Sequence, residues 1–580
     1  MSVDHRNIAS GFPIPKENYC DQPYVVVTRD GNWLCVVTTG PGQESKPGQH
    51  IVATVSADKG RSWSPLIDVE PSGERMCSWA TLLPVPSGRV YAIYNYDYDG
   101  NSTQHGGWLM FRHSDDCGRT WSPDRCRIPM RITKRDRENV NRGERQYFWC
   151  IDKPVVREGA VFFALPKLTD GRTLDGAEGW IVKSDNILTE SDPTRIRWET
   201  LPDGDVGVYD PALGLVQEEQ NVEVLSDGTL YMVYRTVTGH PAYAVSRDGA
   251  HTWTNPRFLA YPDGRPMKTP RACPRIWKAP DGRFLLWFHN NGYPGWGQGA
   301  NRNPVWISGG IEADGEIAWS QPEILLYDTD PTIVGMSYPD FIGQDGRIWV
   351  TETQKMEARV HELDPALLEG VWNQGRSAAV ARAGLVHCSK AALRAGESFA
   401  MPRLPDLREG GFTIEAWLRL DEVGEGRTVL DSFGVRNRGL RISTAPGGAL
   451  ELMLHDGASR RWIEAMDETD MAGSVRSLRR WTWATDDGSL RPGCLHHVVF
   501  IVDGLSKVCS AAVDGRLCDG GTRRIQGWRR LNPYMGDLND EGRCRVGADF
   551  QGRIERLRIY DRYLLTSEAL SNWRAGAAAE

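Results

Sequence analysis

Residues 56–63 read SADKGRSW. The pattern S-x-D-x-G-x-x-W returns as SDDCGRTW at 114–121 and, with alanine in place of the glycine, as SRDGAHTW at 246–253. Each copy follows a segment of alternating apolar residues, which is typical of a β-strand. In such a turn the aspartate accepts hydrogen bonds from backbone amides, the glycine adopts a positive φ and the tryptophan packs between sheets. We therefore interpret these box turns as structural and as the mark of a repeated β-architecture.

A second repeat consists of an apolar strand, a tight turn and another apolar strand. Its six copies begin at Pro23, Ala80, Lys153, Val222, Pro274 and Tyr338. Copies spaced by roughly 40 to 75 residues predict four-stranded blades that close into a ring, an arrangement that leaves no long sheet edge exposed. The sequence therefore predicts an all-β fold whose residues 1–374 form a six-bladed β-propeller.

The pattern changes in the last third of the chain. Segments such as FTIEAWLRL at 412–420, HHVVFIVDG at 496–504 and GRIERLRIY at 552–560 alternate as half-buried strands, and no further box turn occurs there. Short strands at this spacing are typical of a β-sandwich. We predict a second domain, a jelly-roll β-sandwich, over residues 375–580.

Composition argues against several function classes. The formal net charge of −8 argues against a nucleic-acid partner, because phosphate binding uses clustered Lys and Arg. The 12 cysteines form no CxxC pair and no zinc-type spacing with histidine, so we expect free thiols, no metal and no cofactor. No segment has the roughly 18 apolar residues of a membrane span, so we expect no membrane partner. The first 20 residues lack the apolar core of a signal peptide, so we expect a cytoplasmic protein, or a secreted one if a leader has been removed.

Two families resemble the two parts of the chain. The strands quoted from the last third resemble the laminin-G-like, concanavalin-type jelly-roll family, whose members either bind glycans or brace a catalytic neighbour. The first two thirds resemble the sialidase, or neuraminidase, superfamily. QEEQNVEVLSDG at 217–228, followed by Arg235, is similar to the fourth-blade segment that supplies a catalytic Glu and an Arg. NRNPVWIS at 301–308 resembles the fifth-blade segment that supplies a further Arg, here Arg302, and GMSYPDF at 335–341 resembles the segment that carries the catalytic Tyr, here Tyr338.

The resemblance implies a catalytic set. Because the unperturbed pKa of a tyrosine is about 10, Tyr338 needs a neighbouring carboxylate to take its proton as it attacks the anomeric carbon. Glu219 and Glu223 are the two candidates, and sialidases are a recognised class in which Tyr is the nucleophile. The family's acid lies on a first-blade loop, which here reads GPGQESKPGQH at 40–50. Glu44 is the first candidate for this acid and His50 is the second.

One position departs from the family pattern. Sialidases open their first blade with Arg-Ile-Pro, whose Arg binds the substrate carboxylate, whereas this chain has DQP at 21–23. Asp21 in that place replaces charge-assisted bonds of about 1.5 to 3 kcal/mol by repulsion, which makes a neutral sugar an alternative to sialic acid. We expect Asp21 either to accept bonds from sugar hydroxyls or to pair with Arg235 or Arg302. Asp152, at the start of another inner strand, is a further candidate for the substrate pocket.

These observations predict an exo-acting glycoside hydrolase that cleaves a terminal sugar, either sialic acid or a related or neutral sugar. Its expected partner is a glycan or oligosaccharide substrate. Two alternatives remain open at this stage. In the first, the propeller is a non-catalytic carbohydrate-binding lectin or scaffold. In the second, it is a polysaccharide lyase.

Overall fold

The computed structural model describes residues 4–98, 105–169, 174–295, 302–330, 335–457 and 481–579. Strands account for 43% and helices for 6% of the structure, which confirms the all-β class. The chain divides into two compact units. The first contains Met1–Trp319, Ile324–Leu326 and Ile333–Pro365, and the second contains Ser320–Glu323, Tyr327–Thr332 and Ala366–Glu580.

The described residues between Phe12 and Glu362 form six sheets, numbered here in chain order of their inner strands. Sheet 1 contains Tyr19–Val27, Trp33–Gly40, His50–Ser56 and Ile67–Glu70; sheet 2 contains Cys77–Pro84, Val90–Asp97, Gly107–Ser114 and Cys126–Arg127. Sheet 3 contains Tyr147–Phe148, Val155–Arg157, Ala160–Leu168, Glu178–Ser184 and Glu199–Leu201; sheet 4 contains Gln217–Val224, Leu230–Thr236, Ala242–Ser246 and Arg257–Phe258. Sheet 5 contains Arg275–Lys278, Phe284–Phe288, Val305–Ala313, Glu316–Trp319 and Glu323–Leu326; sheet 6 contains Phe12–Pro13, Ser337–Gln344, Arg347–Thr353 and Ala358–Glu362.

Helices in the described residues are few and short. The 3-10 helices are Ile8–Ser10, Pro193–Arg195 and Pro211–Leu213, and the α-helices are Lys134–Arg137, Pro365–Asn373 and Thr566–Ala575. No helix in the described part of the chain has both the length and the hydropathy that crossing a membrane requires.

Each of these six sheets packs on the next. Buried apolar clusters join sheet 1 to sheet 2, sheet 2 to sheet 3, sheet 3 to sheet 4, and sheet 6 to sheet 1. Sheets 4 and 5 are joined where the Asn221 side chain donates to Pro274 O and accepts from Ile276 N. Sheets 5 and 6 meet where Trp277 stacks on Phe341 with 5.5 Å between ring centroids. The amino-terminal strand Phe12–Pro13 completes sheet 6 by pairing with Ala358–Glu362.

The box turns share one hydrogen-bond pattern. In the second copy, Ser114 Oγ donates to Asp116 Oδ1 at 2.7 Å, and the backbone and hydroxyl of Thr120 donate to the two carboxylate oxygens of Asp116 at 2.8 and 2.7 Å. The copies at 56–63 and 246–253 repeat these bonds. The pattern closes a tight turn with side-chain acceptors, as the sequence predicted for these residues.

The inner strands of four sheets begin with a β-bulge. Pairing shifts register between Asp21 and Tyr24, Ser78 and Thr81, Glu218 and Asn221, and Ser337 and Asp340. Within these bulges the residues with positive φ are Gln22 (49°), Trp79 (57°), Glu219 (57°) and Tyr338 (45°). None is a glycine, so each holds a sparsely populated backbone conformation that costs of order 1–3 kcal/mol. We call this end of the sheets the bulge end.

The second unit contains two antiparallel sheets around one apolar core. The larger sheet contains Leu385–Cys388, Leu393–Arg394, Phe412–Leu420, Leu495–Asp503, Val508–Val513, Arg516–Leu517, Trp528–Arg530 and Gly552–Tyr560. The smaller contains Ser398–Ala400, Thr428–Asp431, Arg438–Ala445, Ala449–Asp456, Trp481–Ala484 and Arg543–Arg545. The central strand Phe412–Leu420 carries a fully buried Glu415, whose charge is compensated by Arg558.

Candidate active site

Tyr338 and Glu219 meet at the bulge end although they are 119 positions apart in sequence. The Tyr338 hydroxyl donates a hydrogen bond of 2.7 Å to Glu219 Oε1. The other oxygen of Glu219 forms an ion pair of 2.7 Å with Arg235. All three side chains are buried. Three of the residues that the resemblance implied are thus in direct contact, with the tyrosine aimed at a carboxylate able to accept its proton.

The bulge in sheet 4 explains why two successive glutamates face one arginine. In a regular strand successive side chains point to opposite faces. Here the register shift and the positive φ of Glu219 turn both Glu218 and Glu219 towards Arg235, which lies on the adjacent strand Leu230–Thr236. Arg271 also binds Glu218, at 2.9 Å. Two guanidinium groups thereby fix the carboxylate next to the one that contacts Tyr338.

The tyrosine is protonated at rest. Burial raises the pKa of Tyr338 above its usual value, and the Glu219 carboxylate raises it further, while the Lys355 and Arg235 cations act in the opposite sense. A phenol in this state is a weak nucleophile, so its attack on a carbon requires transfer of the proton as the new bond forms. Glu219 is placed to accept that proton.

Arg302 lies beside this set and contacts neutral groups. Its guanidinium donates to Ser337 Oγ at 2.7 Å and to the backbone oxygen of Arg271 at 2.8 Å. Among the described residues, no carboxylate forms an ion pair with Arg302, and its buried Nε has no hydrogen-bond partner. Its positive charge therefore remains uncompensated by direct contact at the bulge end.

Asp21 is paired with a lysine that the sequence did not single out. The predicted partners, Arg235 and Arg302, are replaced by Lys355, whose Nζ lies 2.6 Å from Asp21 Oδ2. The Tyr19 hydroxyl donates to the same carboxylate oxygen at 2.9 Å. Asp21 is fully buried, and burial raises its pKa although the Lys355 ammonium acts in the opposite sense. These protein contacts, and not solvent, surround the carboxylate that stands in the place of the family's arginine.

Glu44 reaches the same lysine from its loop. Its Oε1 lies 3.2 Å from Lys355 Nζ, and its side chain remains 40% exposed. Burial opposes ionisation of Glu44, but the Lys355 ammonium, with smaller contributions from His105 and Arg302, outweighs it and lowers the pKa of the carboxyl below its usual value. The structure therefore brings the first acid candidate to the site, in its ionised form at neutral pH.

Three candidates have their contacts elsewhere. Glu223 accepts a bond from Lys278 N at 3.1 Å, so Glu219 and not Glu223 contacts Tyr338. His50 contacts Gly48 O at 2.8 Å through its Nδ1. Asp152 binds Arg275 at 3.2 Å and accepts from Ala164 N. Burial raises the pKa of Asp152 to about 7 even though Arg275 lowers it.

An aromatic cluster packs beside Tyr338. Trp79 and Trp149 belong to the same buried cluster as Tyr338. The His105 ring packs against both indoles, with its centroid 5.3 Å from that of Trp79 and 4.5 Å from that of Trp149. Only 8% of Trp79 and 3% of Trp149 is exposed, so these rings support the tyrosine from the core.

Sequence reasoning missed Glu218, Arg271 and Lys355. Glu218 adjoins the chosen Glu219, and its role depends on the bulge. Arg271 precedes the fifth copy of the strand repeat, but no motif marks it. Lys355 lies 334 positions from Asp21, beyond the last quoted motif, so only the folded chain brings the two together.

Two family models match the chain. Residues 76–350 match the BNR repeat-like domain, and residues 394–569 match the Concanavalin A-like lectin/glucanases superfamily. The two matches confirm the resemblances that the sequence indicated for the two parts of the chain. No curated protein matches the chain.

Solved structures of sialidases are among those similar to this chain. Trypanosoma rangeli sialidase in complex with sialic acid is 14% identical, with a TM-score of 0.42, and the match covers 98% of this chain and 96% of that one. A sialidase from Streptococcus pneumoniae is 13% identical, with a TM-score of 0.44, over 61% of this chain and 70% of that one. A protein of unknown function from Dyadobacter fermentans is also 13% identical, with a TM-score of 0.45, over 61% of this chain and 97% of that one.

Proposed function

We propose that the first unit is a six-bladed propeller that acts as an exo-acting, retaining glycoside hydrolase with Tyr338 as its nucleophile. The observation that carries the proposal is the contact of the buried Tyr338 hydroxyl with Glu219, on a strained backbone at the bulge end. The six-bladed ring is supported by the cyclic order in which the six sheets pack, with sheet 6 in contact with sheet 1.

The proposed reaction has two steps. In the first, the Tyr338 oxygen bonds to the anomeric carbon, its proton passes to Glu219, and the bond from that carbon to the leaving oxygen breaks. Glu44 in its protonated form donates to the leaving oxygen. In the second step, a water oxygen displaces Tyr338 from the anomeric carbon, the Glu44 carboxylate takes a proton from that water, and Glu219 returns its proton to the tyrosine. Two displacements at one carbon retain the anomeric configuration.

The ionised state of Glu44 gives this reaction a pH dependence. Because Lys355 lowers the pKa of Glu44, only a small fraction of the acid carries a proton at neutral pH. That fraction rises as the pH falls. Hydrolysis of substrates with poor leaving groups is therefore expected to accelerate towards acidic pH, whereas aryl glycosides with good leaving groups, which need no acid, depend less on pH over the same range.

The charge distribution favours a terminal sugar that carries an anionic group. The Arg302 guanidinium contacts only neutral oxygens among the described residues, so its charge is left for a substrate carboxylate. The negative charge of Asp21 was the reason to consider a neutral sugar. This charge is compensated by Lys355, and Asp21 does not contact Arg302. A sialic acid or another acidic sugar is thus the proposed substrate class.

A panel of aryl glycosides tests the proposal. It contains sialosides, hexuronides and neutral glycosides, and release of the aryl alcohol is measured together with the anomeric configuration of the sugar by NMR. We expect release from an acidic glycoside with retention. Binding of glycans without release would favour the lectin alternative. An unsaturated product that absorbs in the ultraviolet would favour the lyase, and inversion would exclude a covalent tyrosyl intermediate.

A further inference from the structure

We propose that Lys355 is a positioning residue for the nucleophile, and that Asp21 and Glu44 are anchors that hold its ammonium group over the Tyr338 ring. The inference rests on the proposed function and deepens it. It gives a role to the aspartate that stands in the place of the family's arginine. Asp21 then acts through Lys355 and does not bind substrate.

The backbone fixes Lys355 in place. The residue has a φ of +70° and follows the strand Arg347–Thr353. Its N–H donates to Thr353 Oγ1 at 2.9 Å, and its carbonyl accepts from Cys20 N at 2.8 Å. Because Cys20 directly precedes Asp21, this pairing of sheet 6 with sheet 1 sets the lysine side chain beside the aspartate. The left-handed backbone of a non-glycine residue is a cost that these contacts offset.

The ammonium group lies on the face of the nucleophile. Lys355 Nζ is 4.6 Å from the centroid of the Tyr338 ring, whereas it is 5.9 Å from the ring of Tyr19. A cation over an aromatic face is attracted by the ring, and the attraction grows when the ring gains negative charge. Tyr338 gains such charge as its proton moves to Glu219. Lys355 therefore stabilises the attacking phenolate more than the resting phenol, which is the condition for an effect on rate.

The carboxylates around Lys355 argue against direct binding of a substrate carboxylate. The ammonium group already contacts Asp21 at 2.6 Å and Glu44 at 3.2 Å. A third carboxylate there would place three negative charges around one cation, while Arg302 offers a cation without such partners. Lys355 thus places a positive charge near the position where sialidases have an arginine and this chain has Asp21. This charge acts on the Tyr338 ring and not on the substrate.

The groups that face Tyr338 come from several elements. Glu219 and Arg235 approach from sheet 4, and Asp21 approaches from sheet 1. Lys355 approaches from the turn after the strand Arg347–Thr353 of sheet 6, and Arg271 lies just before sheet 5. Of these, Glu219 and Asp21 favour the neutral phenol, and Lys355 and Arg235 favour the phenolate. After removal of Lys355, Arg235 is the main cation that favours the phenolate against Glu219 and Asp21, and Arg235 is already paired with two glutamates.

The first experiment measures the ionisation of the nucleophile without turnover. Tyr338 is replaced by 3,5-difluorotyrosine, whose phenol ionises at lower pH, and its titration is followed by fluorine NMR in the full chain. We expect Lys355→Met to raise the midpoint by about one pH unit or more and Lys355→Arg to restore it. Lys355→Gln, which removes the same charge but keeps a polar side chain beside Asp21, is expected to raise the midpoint as well, and it serves if Lys355→Met does not fold. An unchanged midpoint in the folded variants would overturn the proposal.

The second experiment separates activation of the nucleophile from protonation of the leaving group. We expect Lys355→Met to lower kcat/KM by about 10- to 100-fold for aryl glycosides with good and poor leaving groups alike. Glu44→Gln keeps the shorter Asp21 contact to Lys355 but removes the acid, so it is expected to lower kcat/KM more for poor leaving groups than for good ones, and any loss that remains with good leaving groups measures its part as an anchor. A loss in Lys355→Met that disappears with good leaving groups would reject the assignment. If the wild type releases no sugar at all, the proposed function fails, and the fluorine titration alone then decides on the role of Lys355.

Discussion

Two tyrosines in the first unit make nearly the same contacts. The Tyr338 hydroxyl donates to Glu219 at 2.7 Å, and the Tyr94 hydroxyl donates to Glu70 at 2.6 Å. Each glutamate is bound by arginine, Glu219 by Arg235 and Glu70 by Arg112 and Arg125. Burial, reinforced by the glutamate, raises the pKa of both tyrosines. Side-chain chemistry and titration alone do not distinguish the two sets.

The backbone distinguishes them. Tyr338 and Glu219 lie within β-bulges and have positive φ, whereas Tyr94 has no positive φ, pairs in regular register with Met110 and lies on the strand opposite the bulge of sheet 2. The Tyr338 set also has a cation over its ring and an uncompensated arginine beside it. Strain at a non-glycine residue persists only where surrounding contacts enforce it, and it concentrates at functional sites. The positive φ of both contacting residues within β-bulges, together with the cation over the ring, therefore separates the candidate site from an otherwise similar Tyr–Glu–Arg contact.

The sharpest test of this difference removes each hydroxyl in turn. We expect Tyr338→Phe to lower kcat by roughly 10³-fold or more, because the nucleophilic oxygen is lost. Tyr94→Phe removes a similar hydrogen bond and is expected to leave kcat within about twofold while lowering the free energy of unfolding by about 1–2 kcal/mol. Initial rates with the best aryl glycoside and denaturant unfolding of the full chain provide the two measurements. Equal losses of activity in both variants would remove the distinction.

The glutamates extend the comparison with a smaller effect. Glu219→Gln keeps the shape of the side chain but cannot accept the tyrosine proton as a carboxylate does, so we expect kcat to fall by about 10²-fold or more. Glu70→Gln leaves Arg112 and Arg125 without their carboxylate. We expect it to cost about 2–3 kcal/mol of unfolding free energy with kcat retained. Activity that tracks stability in both variants would assign a structural role to Glu219 as well.

Repetition made much of the fold predictable from the sequence. The box turns and the strand repeat depend on interactions between residues that are close in sequence, so turn residues and period-two alternation reveal them directly. The family models bear out the repeat and the concanavalin-like strands. The larger sheet of the second unit contains the predicted segments at 412–420 and 552–560 as paired neighbours.

The candidate site was only partly predictable, because its geometry departs from that periodicity. Alternation along the strand left Glu219 and Glu223 equivalent, and only the bulge at Glu219 places it against Tyr338. The partner of Asp21 was missed because Lys355 lies in an unrepeated turn at the far end of the sequence of the first unit. Motifs indicate which residue types are present, but long-range pairing decides which charges meet.

The box turns provide the smallest predicted effect. Burial opposes ionisation of Asp116, but hydrogen bonds from Thr120 and Ser114 outweigh it and hold the pKa of its carboxyl below the usual value. Because the folded pKa is depressed, the stabilisation is complete above the unfolded value of about 4 and is lost as the pH falls below it. We expect Asp116→Asn to cost about 1 kcal/mol near pH 7, a modest figure since the turn is exposed to solvent.

That cost should shrink as the pH falls from about 4, since the wild-type carboxyl then takes up a proton and loses the same bonds. Denaturant unfolding of wild type and variant at pH 7 and at about pH 3 measures the difference. Turnover of the best aryl glycoside should not change, because Asp116 lies in a regular turn and contacts none of Tyr338, Glu219 or Lys355. A loss of unfolding free energy that grows at low pH would contradict the assigned role of Asp116. A loss of turnover without a loss of stability would show that the box turns contribute to activity as well as the bulge end.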